Sequence, residues 1–149
     1  MKLGIALVSL VLSFSAFAGL PLFQYSWHNQ VKSSQLMVFE DGTILHQERV
    51  QYQNQTLSEV ALSPLELAGL KAIIETILRA QITTEDIEAS AGSTSGTIEL
   101  RTDKGLKIVE GVVRDSTDLY HAKSFKSDSD SIAELKAFIF KYTHNDMDF

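Results

Sequence analysis

The strongest structural instruction in this chain is Ser63-Pro64-Leu65-Glu66. The Ser63 hydroxyl is placed to accept from the backbone N–H three residues on, and Glu66 to reach back to the N–H of Ser63. Pro64 stands at the first helical position, where its missing donor costs nothing. Leu67, Leu70, Ile74, Ile77 and Leu78 then recur at spacings of three and four, with Ile73 beside them, while Glu66, Lys71, Glu75 and Arg79 fall off the stripe. A helix with so broad an apolar face has to be covered by a second layer.

Strand formers on both sides of the helix supply that layer. Residues 35–40 and 43–50 meet at Asp41-Gly42, a pair favoured in two-residue type I′ turns, and read as a hairpin. Residues 51–59 are polar and either loop back or extend its second strand. Beyond the helix, residues 83–96 are small and polar without periodicity and read as a long loop. Thr97, Glu99 and Arg101 then alternate with Ile98, Leu100 and Thr102, and Asp103-Lys104-Gly105 turns the chain into residues 106–113, a second hairpin. Residues 114–126 are mixed. Ser131-Ile132-Ala133-Glu134 repeats the capping-box pattern before Leu135, Phe138, Ile139 and Tyr142 at helical spacing. Asp128-Ser129-Asp130 stands before this helix's positive end, where negative charge is stabilising. The order β-β-α-β-β-α predicts an α+β fold in two layers. An antiparallel sheet of four or more strands carries both helices on one face and leaves the other solvated or open to a partner.

The first 18 residues have a different character. Met1-Lys2 is a short positive start, residues 3–12 are almost unbroken apolar sequence, and Ala16-Phe17-Ala18 offers small residues to a signal peptidase. The run is shorter than the ~20 residues that span a bilayer, and no positive cluster follows it. The expectation is a signal peptide over residues 1–18, cleaved between Ala18 and Gly19, and one domain over residues 19–149, periplasmic or secreted. No later segment is long and apolar enough for stable membrane insertion. Cysteine is absent, which removes disulfides, thiol catalysis, thiolate zinc sites and a lipid anchor, and leaves packing to stabilise the fold. The net charge of −6 has the wrong sign for a phosphate-binding surface, so nucleic acid is not an expected partner. Asn54-Gln55-Thr56 matches a glycosylation pattern that matters only in a eukaryotic secretory pathway.

No constellation carries chemistry plainly. Asp115, Asp118 and His121 stand three residues apart, so on a helix the third lies 240° from the first and the three share no face. Asp128-Ser129-Asp130 begins like a calcium loop but lacks its later glycine and glutamate. Gly92-Ser93-Thr94-Ser95-Gly96 has the glycine spacing of a nucleophile elbow, yet leads from a loop into a strand and reads as a flexible linker. His28, His46, His121 and His144 show no metal-ligand spacing. A terminal Phe149 follows helical sequence, not the strands of an outer-membrane barrel. No cofactor or metal site is expected. The preferred reading is a non-catalytic binding module, accessory or inhibitor-like, acting by contact through the solvated sheet face or the loop at residues 83–96, with an envelope or extracellular protein as partner. The alternative is a small hydrolase using carboxylates among Glu85, Asp86, Asp115 and Asp118, brought together from distant loops.

Overall fold

The computed structural model describes residues 19–51, 53, 55–89, 94–118 and 120–144. The expected signal with Ala18, Asn54 of the glycosylation pattern, Gly92-Ser93 and Phe149 lie outside the described residues. The elements are β1 (Phe23–His28), β2 (Lys32–Val38), β3 (Thr43–Val50), β4 (Thr56–Ala61), α1 (Pro64–Arg79), β5 (Ile82–Glu88), β6 (Ser95–Thr102), β7 (Gly105–Arg114), β8 (His121–Ser127) and α2 (Ser131–Thr143). All strand pairs are antiparallel, in one sheet of order β4-β3-β2-β1-β6-β7-β8-β5. The fold is α+β as expected, but each helix follows four strands instead of two.

Three local expectations are corrected with it. Residues 83–96 are not one long loop: most of β5 and the start of β6 lie within them. Strand β5 sits at a sheet edge with Thr83, Thr84, Glu85, Asp86 and Glu88 exposed, so neither of its faces demands apolar residues and no alternation marks it. The Asp41-Gly42 turn is a three-residue loop, since Phe39 N–H donates to Thr43 O at 2.9 Å and Gly42 N–H to Phe39 O at 3.0 Å. Only Gly42 takes positive φ there, at +89°, giving a tight turn closed by a glycine bulge. Asp41 accepts from Thr43 N–H at 2.9 Å instead. The second capping box does not form, because Ser131 is already helical and Asp130 takes the cap position without a side-chain bond. The Ser131 N–H donates to Ser129 Oγ at 3.2 Å.

The first capping box forms in full: Ser63 N–H donates to Glu66 Oε2 at 2.9 Å, and Glu66 N–H to Ser63 Oγ at 3.2 Å. Helix α1 buries Leu70, Ile74 and Ile77. Lys71, off the stripe, is half-buried and pairs with Glu40 at 2.7 Å. Phe23 meets Phe138 of α2 edge-on, ring centroids 5.8 Å apart, so Phe23 and its alternate neighbours Tyr25 and Trp27 face the helices. Register places Val38 and Leu36 of β2 and Leu100 and Ile98 of β6 beside them. These residues form one buried cluster with Ile74 and Ile77 of α1 and Leu135 and Ile139 of α2, so both helices cover the same face of the sheet.

One carboxylate is buried on this helix-covered side. Glu110 is 7% exposed, opposite Ile98 where a bulge in β7 shifts the register, and 3.7 Å from Lys136 of α2. Burial pushes its carboxyl above the ordinary range, and Lys136 opposes the shift. The raised group binds its proton more tightly folded than unfolded. Its contribution to stability is therefore present below the unfolded carboxylate range and lost as pH rises through the folded value. Glu110→Gln should gain stability relative to the parent as pH rises from about 4 to about 7, in melting temperatures measured across that range. A relative loss with rising pH would contradict the assignment.

Candidate functional site

Among the described residues, those proposed for a hydrolase lie on strand β5 and in the β7–β8 connection. Glu85 and Asp86 are consecutive on β5 and so point to opposite faces, opposite Ser124 and Lys123 of β8. Asp115 and Asp118 lie in the β7–β8 connection, which is not helical, so the helical spacing argument does not govern them. Their oxygens build that turn. Asp115 accepts from Thr117 N–H at 2.8 Å and from its hydroxyl at 2.7 Å, while Asp118 accepts from Tyr120 N–H at 3.0 Å and bonds His121 Nδ1 at 2.6 Å. The Thr117 and Tyr120 N–H bonds first, then the hydroxyl and imidazole, hold the two carboxyls below the usual range; Asp118 in turn raises His121. A general acid needs the opposite shift. Among the described residues no three His, Cys, Asp or Glu side chains come together as metal ligands.

The four histidines occupy four places. His121 is in the turn just described, and His144 caps α2 with a left-handed backbone. His46 lies on the helix side, its Nε2 3.1 Å from Ser34 Oγ, and burial lowers its imidazole. His28 ends β1 on the sheet face away from the helices, where its Nε2 lies 2.8 Å from Ser95 Oγ. Ser95, expected in a flexible linker, is instead the buried first residue of β6. These partners are 67 residues apart, and only the β1–β6 pairing brings them opposite each other. The pair has the reach of a nucleophile and base, but among the described residues no carboxylate lines the grooves around it to orient the imidazole.

The surroundings of His28 follow from register. Arg49 of β3, Ser33 of β2, His28 and Ser95 form one cross-strand row, and Gln47, Gln35, Ser26 and Thr97 form the next. Both rows stand on the face that carries neither helix. Two neighbouring grooves, of about 420 and 380 Å³, share Ser26 and His28; Gln35, Gln47 and Arg49 line the first, Ser95, Thr97 and Arg114 the second. Further along this face Met37 and Leu45 pair and form a small buried cluster with Phe39. The polar end thus rests on the same central strands as the core, with side chains that donate and accept hydrogen bonds. Alternation of polar and apolar residues along β1 carried part of this signal; the meeting of four strands did not. Comparison with protein-family models, characterised proteins and solved structures finds no match to this chain.

Proposed function

We propose that this chain is an exported, non-catalytic binding module, accessory or inhibitor-like, that acts by contact through the sheet face opposite its helices. One observation carries the reading: four central strands bring Arg49, Ser33, His28 and Ser95 into a row beside two open grooves, the first lined mainly by serine, glutamine, histidine and arginine side chains. Hydrogen-bonding side chains fixed on a sheet suit recognition, whereas the Asp115 and Asp118 carboxylates are engaged in turn bonds. The signal-like start supports export to the periplasm or outside the cell, with Gly19 as first residue, and the intact mass of exported protein checks that boundary. No helix among the described residues is long and apolar enough to cross a membrane.

A photoreactive residue in place of exposed Ser33 should cross-link a partner in intact cells, while the same residue in place of Ala72, on the outer face of α1, should not. Equal adducts from both positions, or none from Ser33, would contradict the reading. Turnover of a peptide, ester or glycoside that disappears in Asp115→Asn or Asp118→Asn would replace it with the hydrolase.

A further inference from the structure

Resting on the binding-face reading, we infer that the row Arg49–Ser33–His28–Ser95 is a site for an acidic oligosaccharide, whose anionic group sits against Arg49 and whose hydroxyls run across the row. Four adjacent strands make the row about 14 Å long, with side chains repeating at the strand spacing. The chain carries 19 acidic residues against 13 basic ones, yet among the described residues no Asp or Glu lines any of the three grooves at this end of the sheet. Of the acids that share the face, Glu59 and Glu99 stand beside Leu45 and Gln24, about 13 Å further along the strands, where Glu99 accepts from the Thr97 hydroxyl at 3.4 Å, and Asp86 and Glu88 lie on edge strand β5, three strands from Ser95. A patch free of acids in an acidic protein favours an anion locally and repels it elsewhere.

The donor inventory agrees. Arg49 is exposed and has no ion-pair partner among the described residues, leaving its planar fork of N–H groups to a ligand. In the next row Gln47 lines the larger groove, where its Oε1 accepts from Gln55 Nε2 at 3.3 Å. An acceptor-rich ligand satisfies the Arg49 fork. A sugar fits better than a peptide, because tight protein contacts gather around aromatic or aliphatic anchors, and the exposed apolar side chains nearby, Val31, Leu57 and Val113, flank the Arg49–Ser33–His28–Ser95 row and do not stand in it. Serine, glutamine and imidazole groups instead match the dense hydroxyls of a glycan.

The test is calorimetric titration of residues 19–149 with hexasaccharides bearing uronate, sulfate or phosphate groups, a neutral hexasaccharide and hexaglutamate. At least one acidic hexasaccharide should bind, more weakly at high salt, and the neutral one should not. Arg49→Gln should weaken binding about tenfold or more with an unchanged melting temperature, and Lys104→Gln, in the remote β6–β7 turn, should leave it unaltered. Equal binding of the neutral sugar, equal or tighter binding of hexaglutamate, or an unaffected Arg49→Gln variant would overturn the inference. If no sugar binds while Ser33 still cross-links a partner, the ligand class is wrong and the binding face stands. If Ser33 cross-links nothing either, the face itself is wrong.

Discussion

Gly111→Ala should cost about 4 kcal/mol or more, a large part of the stability of a domain this size. Gly111 has φ of +125°, and a Cβ built on it lies 2.1 Å from the Gly96 carbonyl oxygen and 2.7 Å from the Thr97 Cα. Both contacts are backbone atoms of β6, so no side chain can swing away to relieve them. The strands must separate where Thr97 pairs with Gly111 and Gly96 with Val112, beside the candidate site. Gly69→Ala provides the contrast, since Gly69 lies inside α1 with nothing within 4 Å of the added Cβ. There alanine should stabilise by roughly 0.5–1 kcal/mol through helix propensity. Urea denaturation of the two variants checks the opposite signs, and a Gly111→Ala protein as stable as its parent would show that β6 and β7 do not approach so closely.

Phe23→Ala should cost about 3–5 kcal/mol. Phe23 is 0% exposed, on a strand between β2 and β6 at the middle of the sheet, and its ring is in edge contact with Phe138. Truncation leaves a cavity at the junction of both layers and removes an aromatic pair worth about 0.5–1.5 kcal/mol. Phe140 belongs to α2 as well but is 46% exposed, and Phe140→Ala should cost about 1 kcal/mol or less. Denaturation midpoints that fell equally in the two variants would contradict the burial of α2 against β1.

Legibility in the sequence followed the local physics. Helix α1 was readable because its cap, proline and apolar stripe all act within one element. The hairpin β6–β7 was readable because alternation and turn chemistry agree. Strands β4 and β5 escaped because they are sheet edges, and exposure on both sides removes the alternation that marks a half-buried strand. The start of α2 was misplaced by one residue, a shift that moves Ser131 from the cap position into the helix. The candidate site was the least legible part. Arg49, Ser33, His28 and Ser95 come from four strands, and nothing near any of them in sequence specifies β1 pairing with β6 rather than another strand. The carboxylates prominent in the sequence were prominent because turns use aspartate, as Asp41, Asp115 and Asp118 show.

The claim that function resides on the helix-free face is tested most directly by mapping backbone amide shifts of isotopically labelled residues 19–149 during titration with an acidic hexasaccharide or the cross-linked partner. The account predicts that the largest changes fall on Ser26, His28, Ser33, Gln47, Arg49 and Ser95. Changes centred instead on the outer surfaces of α1 and α2, or on the turn holding Asp115, Asp118 and His121, would contradict it.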